Sequence, residues 1–421
     1  MHQKTTLDNG LRIVTASMPH TQAVSVTIFA GTGSRYEARP LSGVSHFVEH
    51  MLFKGTVRRP TGLDISKAIE GLGGYVNAAT DKEITQYWTR VARPHFAEAL
   101  DVLADLFLHS RFEPLEIDKE RLVIVEEIIS LFDLPAGWVH QVNAELLYGD
   151  HPLGWDTAGT PESVSAISRA DMLAYTATQY VPNNLVVAVA GNLSHEEAVT
   201  AIDEHFGDLV PGAVHPCQPA PDAQTAPRLR VQCKETEQAN FCLSVPALDY
   251  RHPDRYALKV LNVILGEGMS SRLFQEVREA RGLAYAVGSY VSGYRDVGAM
   301  VAYASVDLGR VPETVRTILA EWDRIAREPV TDKELTRAKE YTKGRFLLGM
   351  EDSRSVAAWI GIQEVRDEEI LTPEQAVAEM EAVTRDDVQR LAAQFFQPEK
   401  LNLAVIGPYE DEEAFRSLLA F

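Results

Sequence analysis

The chain has 421 residues, 45% of them hydrophobic and 24% charged, an ordinary globular composition long enough for two or more domains. Sixty acidic against forty basic residues give a formal charge of −20, which excludes the basic footprint of a general nucleic-acid binder and fits a solvated acidic surface. The opening MHQKTTLDNGLRIVTAS has neither a long apolar core nor a small-residue cleavage site, so no secretory signal is expected, and no run reaches the apolar length of a membrane span.

The run AVSVTIFAG, short, β-rich and closed by glycine, reads as a strand. A helix is expected after Pro40, with Ser42 as its cap and Phe47, Met51 and Leu52 as its packing surface. It carries HFVEHMLFKG, in which His46, Glu49 and His50 form an H-x-x-E-H pattern, the zinc-peptidase signature H-E-x-x-H in reverse order. Residues i and i+4 share one helix face, so both histidines can reach one ion, with Glu49 beside them to act as a general base on a water. A lone histidine on such a helix is ordinary core; the pair with an interposed glutamate points to a metal.

GGYVNAATDKEITQYWTRV reads as two strands joined by a polar turn around Asp81 and Lys82. HFAEALDVLADLFLHS and PLEIDKERLVIVEEIISLF read as long helices. Catalytic zinc takes three protein ligands and keeps an open position, so a third ligand is required. The second of these helices offers Glu116, Glu120, Glu126 and Glu127. Apolar residues occupy most of its circumference between Leu122 and Leu131, so a carboxylate there is expected to be partly buried and to need a partner. Periodicity does not decide between Glu126 and Glu127.

A segment starting at Ser168 and another starting at Thr384 align without gaps at an offset of 216 residues. Asp171 falls on Asp387, Pro182 on Pro398, Leu185 on Leu401 and Gly191 on Gly407. Each copy reads as a helix with a Ser or Thr cap, a proline turn, an apolar strand, a glycine turn and a helix. Between the copies, PGAVHPCQPAPDAQTAP holds five prolines and reads as an extended linker. The expected fold is therefore α+β: two related α/β-layer domains, each a mostly antiparallel sheet covered by helices. Residues 1–210 form the metal-binding domain, 211–227 the proline-rich linker and 228–421 the homologous second domain. The three cysteines, Cys217, Cys233 and Cys242, are too few for a disulfide framework and read as reduced thiols of a cytoplasmic protein.

The chain resembles the pitrilysin/insulinase family of zinc metallopeptidases, and in particular the branch containing mitochondrial processing peptidase and its bacterial relatives. GSRYEARPLSGVSHFVEHMLFKGT carries most of the likeness. In that family the distal ligand follows another characteristic glutamate at the separation shown by Glu120 and Glu127, so the resemblance selects Glu127 as ligand and Glu120 as supporting acid. SSRLFQEVREARGLAYAVGSY resembles the family's substrate-facing segment, whose Arg and Tyr fall here on Arg278 and Tyr285. The second half has no H-x-x-E-H copy, so one Zn2+ per chain is expected.

The resemblance implies hydrolysis of peptides in an enclosed chamber, with Glu49 as base, Tyr285 as hydrogen-bond donor to the oxyanion and Arg278 on a substrate carbonyl or carboxylate. Asn77 and Ala78 would pair their backbone with an extended peptide. A homodimer is expected, or a heterodimer with a related subunit, with no nucleic acid or membrane partner. Two other readings compete: a non-catalytic assembly subunit of the same fold, and a two-histidine, one-carboxylate iron oxygenase. The intact catalytic set argues against the first and the interposed Glu49 against the second.

Overall fold

The computed structural model describes residues 2–221, 224–366 and 369–420. Its strands form two sheets. The first contains β1 (His2–Thr6), β2 (Arg12–Ser17), β3 (Ala23–Ala30), β4 (Tyr75–Thr80), β5 (Thr85–Ala92) and β6 (Leu185–Gly191), in the order β1-β2-β6-β3-β5-β4. The second contains β7 (Arg228–Cys233), β8 (Gln238–Ala247), β9 (Ala284–Gly293), β10 (Gly298–Asp307) and β11 (Asn402–Gly407), in the order β7-β11-β8-β10-β9. With β1 set aside, the two orders correspond strand for strand. Each sheet has one parallel pair, β2 with β6 and β7 with β11, and is otherwise antiparallel. This is the α+β duplication expected from the repeat.

The repeat is visible in its details. The helices Arg169–Gln179 and Arg385–Phe395 both open with a capping box, Ser168 with Asp171 and Thr384 with Asp387. Each satisfies two orphan N–H groups at the helix start and fixes where the helix begins. Each helix then leads through a short 3₁₀ turn at Pro182 or Pro398 into a wholly buried strand, β6 or β11.

Both sheets are buried on both faces, and strand alternation divides the two cores. In β6, Leu185, Val187 and Val189 face helices that include Val44–Leu52 and Phe96–His109. Val186, Ala188 and Ala190 face the helix Ser353–Val365. In β11, Leu403 and Val405 face one core while Ala404 and Ile406 face Val139, Val142 and Leu147 of the helix Pro135–Tyr148.

The compact units are not contiguous in sequence. One comprises Met1–Ile129, Trp155–Gln218 and Leu347–Thr372; the other comprises Ser130–Gly154, Pro219–Phe346 and Pro373–Phe421. Against a simple division at residues 211–227, each half gives one helical segment to the other's sheet. The reason is sheet coverage: a sheet with two apolar faces needs a helix on each. Gly361 permits one of these dockings, since a Cβ there would lie 2.2 Å from the ring of Phe29. Among the described residues no helix is long and apolar enough to cross a membrane, and all three cysteines are free.

Candidate active site

The motif helix spans Val44–Leu52 and buries Val44, Phe47, Val48, Met51 and Leu52, which leaves His46, Glu49 and His50 on its less buried side. Its start differs from the expected Ser42 cap. Gly43 is the N-cap, at φ +95°, and no side chain of its own caps the helix. A Cβ at Gly43 would lie 2.4 Å from the Ala158 carbonyl oxygen, so both the backbone angle and the space require glycine. The capping acceptor comes from outside the helix. Glu37 accepts hydrogen bonds from the N–H of Gly43 at 2.7 Å and of Ser45 at 2.8 Å. Burial raises the Glu37 carboxyl to about 7, against the opposing pull of these bonds and of Lys82.

Three ligand-type atoms converge. His46 Nε2 and His50 Nε2 are 3.1 Å apart, and Glu127 Oε2 is 3.8 Å from the first and 3.6 Å from the second. A tetrahedral ion with bonds of about 2.0–2.1 Å has ligand atoms roughly 3.3 Å apart, so this triangle fits such an ion. Two imidazoles and one carboxylate also match the donor set of catalytic zinc, which leaves a position open. Among the described residues this is the one group of three or more such side chains able to hold a metal ion. Burial, and after it the neighbouring His50, lowers the His46 ring to about 4, so that ring is neutral and has a lone pair to give.

An outer contact orients one candidate ligand, His50. Glu120 Oε1 is 2.8 Å from His50 Nδ1, which places the proton on that nitrogen and turns the Nε2 lone pair toward the convergence point. The other Glu120 oxygen pairs with Lys54 Nζ at 2.5 Å. Burial alone would raise the Glu120 carboxyl; the bonds from His50 and Lys54 hold it below its ordinary value. Glu49 Oε2 accepts a hydrogen bond from the Thr80 hydroxyl at 2.5 Å, and burial leaves its carboxyl above its usual range.

Glu120 and Glu127 lie on the helix Pro114–Phe132 with opposite burial. The Glu120 side chain is 7% exposed and that of Glu127 is 53% exposed. The expected partial burial of a carboxylate between Leu122 and Leu131 does not hold, because Leu122, Val123, Ile129 and Leu131 are themselves exposed. The apolar residues of that stretch do not all face the core, so they enclose neither Glu126 nor Glu127. Glu126 is exposed and lies outside the ligand triangle.

β4 is one of the two edge strands of the first sheet. Its Ala78 N–H is capped by the side-chain oxygen of Asn77 at 2.8 Å, so this N–H points away from β5. Val76, Ala78 and Thr80 share the strand face that packs beside the motif helix. In the second unit, Arg278 lies on the π-helical segment Phe274–Ala280 and Tyr285 on β9. The guanidinium donates to the Tyr285 carbonyl oxygen at 3.0 Å and sits 4.4 Å from the ring centroid, while the tyrosine is 79% exposed.

Three residues of this constellation went unmarked in the sequence. Lys54 could have been found, since it lies one helical turn beyond His50. Thr80 could have been found from strand alternation, two residues after Ala78. Glu37 carries no local signal, because it caps a helix from across a turn.

The sequence matches the model of the insulinase family of peptidases, M16, over residues 12–160, and that of the M16 peptidase inactive domain over residues 166–341. The chain belongs to the M16 family. A zinc protease of Streptomyces coelicolor, named as uncharacterized, is 39% identical over 420 residues, covering 98% of this chain and 91% of the relative. A similarly named zinc protease of Bacillus subtilis is 37% identical over 408 residues, covering 97% and 98%. A protease structure from Helicobacter pylori has a TM-score of 0.92 at 24% identity, covering 97% of this chain and 99% of its own; that likeness is one of fold. This M16 chain is thus a member of a metallopeptidase family, and the match to the inactive domain falls on the portion without an H-x-x-E-H motif.

Proposed function

We propose that the protein is a zinc-dependent endopeptidase that hydrolyses peptides or unfolded segments inside a chamber formed by two copies of the chain in the cytoplasm. The observation carrying this reading is the convergence of His46, His50 and Glu127 beside Glu49. His46, His50 and Glu127 would hold one zinc ion, which when bound supplies Lewis-acid polarisation of the scissile carbonyl and acidifies a water.

The remaining chemistry falls to the chain's own side chains. Thr80 fixes one oxygen of Glu49, and the other is left to take a proton from the attacking water and pass it to the leaving amine. The raised pKa of Glu49 brings it nearer to neutrality and makes it a better base. Glu120 and Lys54 keep His50 turned toward the ion. An extended peptide adds to the free edge of β4, pairing with the Ala78 backbone once the Asn77 side chain swings away. Tyr285 would donate a hydrogen bond to the oxyanion and Arg278 would hold a substrate carbonyl or carboxylate. Both would come from the second copy, or from a related subunit in a heterodimer.

The test is cleavage of a mixed peptide library with and without a chelator, alongside Glu49→Gln. The parent should cleave, lose activity to the chelator and regain it with zinc. The variant should keep its zinc and lose about 10³-fold or more in rate. Parental cleavage by the variant would sink the mechanism. A parent that holds zinc and cleaves nothing would instead identify an assembly subunit.

A further inference from the structure

We propose that Glu37 is a positioning residue for peptide hydrolysis, setting the axial place and rotation of the motif helix so that its histidines and Glu49 meet their partners. The proposal rests on the reading of the site given above. Three observations carry it.

First, the motif helix lacks a cap of its own, and both oxygens of the buried Glu37 carboxylate are engaged at its start. One takes the Gly43 N–H and the other the Ser45 N–H, immediately before His46. A helix N-terminus leaves several N–H groups unpaired and carries partial positive charge. A carboxylate gripping two of those groups fixes the first turn both along and around the axis. His46, Glu49 and His50 ride on that helix, so the grip is passed to all of them.

Second, the segment that ends in Glu37 is tied to the turn that follows Thr80. Ser34 N–H donates to the Asp81 carbonyl at 3.2 Å and Arg35 N–H to the Lys82 carbonyl at 2.8 Å. The fully buried Arg35 guanidinium pairs with Glu83 at 2.6 Å. The same stretch of chain therefore holds the strand whose Thr80 binds Glu49 and the helix that carries Glu49.

Third, the charge behind the helix is compensated in place. Lys82 is buried, donates to the Trp155 carbonyl oxygen and lies in the field of both Glu37 and Asp156. A neutral amide at position 37 would leave Lys82 with less compensation, and its NH2 would oppose one of the two helix N–H groups.

The experiment compares Glu37→Gln with Thr384→Ala, which removes the side-chain cap of the equivalent helix in the other unit, outside the unit that holds the motif helix. Zinc affinity is read by competition with a chromogenic chelator, kcat and KM on one peptide, and stability by denaturant. Loss of an outer partner of a metal site costs roughly 10–100-fold in affinity or activity. Glu37→Gln should lose about that much zinc affinity and kcat with KM nearly unmoved, whereas Thr384→Ala should lose stability alone. Should Glu37→Gln yield no folded protein, Glu37→Asp, which draws the charge back by one methylene, is expected to show the same split at smaller size. A folded position-37 variant with parental zinc affinity and kcat would overturn the proposal, as would losses no larger than those of Thr384→Ala. His46→Ala separates the two levels. If it loses zinc while Glu37→Gln behaves as the parent, only the positioning role fails; if it binds zinc as the parent does, the ligand assignment fails and the proposal with it.

Discussion

The helices Val44–Leu52 and Arg255–Leu265 occupy the same place in the two sheets, one between β3 and β4 and the other between β8 and β9. The first exposes a stripe of two histidines and a glutamate over an apolar back. The second is apolar almost throughout, with eight of its eleven residues buried. Its buried Asn262 serves as an internal tie, accepting from Ser289 Oγ at 2.7 Å. The two sheets and the capped helices beside them are alike, so the duplicated scaffold does not need the histidines. Scaffold information lies in apolar alternation and caps, and the proposed chemistry in three side chains on one helix face plus a carboxylate from a second helix.

Four outcomes break or sharpen that comparison. The largest effect is expected at the ligand helix. Glu127→Gln should reduce zinc affinity by more than about tenfold and abolish cleavage, since even an outer-contact residue can cost that much. Glu126→Gln should leave zinc content unchanged, and a loss confined to the Glu126 variant would reverse the assignment.

Next comes the division of labour between the halves. Mixing inactive Glu49→Gln chains with inactive Tyr285→Phe chains under exchange should restore activity to about a quarter of parental, because random pairing makes half the dimers mixed and leaves each of these one intact site. Absence of recovery despite demonstrated exchange counts against a shared site, and a fully active monomer in sedimentation rules it out.

The third concerns the helix contributed from late in the chain to the first sheet. Gly361→Ala puts a methyl 2.2 Å from the Phe29 ring and 2.9 Å from the Ala188 Cβ. Overpacking of this kind should cost about 1–3 kcal/mol in denaturant unfolding. An unchanged midpoint would mean that this packing is looser than described.

The smallest effect tests the repeat itself. Ser168→Ala and Thr384→Ala should each cost about 1 kcal/mol, with similar values in the two units. A large difference would show that one copy's cap has been superseded by other contacts.

Much of the site is legible in the chain because its components are local. His46, Glu49 and His50 are separated by helical spacing, and one turn of helix brings both histidines to one point. The repeat is legible for a similar reason, since capping boxes and alternating strands are short-range patterns. The ligand helix shows where locality ends. Its apolar residues could not be assigned to core or surface from their spacing, so periodicity left Glu126 and Glu127 equivalent; the family resemblance singled out Glu127, and the fold sets it against the histidines.

By itself, then, the sequence determined the α+β class, the duplication, the motif helix and the hairpin bearing Asn77, Ala78 and Thr80. Each follows from propensity and periodicity within a few residues. Tertiary structure alone decided that Glu37 caps the motif helix, that Glu120 bridges His50 and Lys54, and that Ser353–Val365 covers the first sheet while Pro135–Tyr148 covers the second. These are contacts between segments distant in the chain, fixed by the requirement that both faces of each sheet be covered and that each buried charge find a partner.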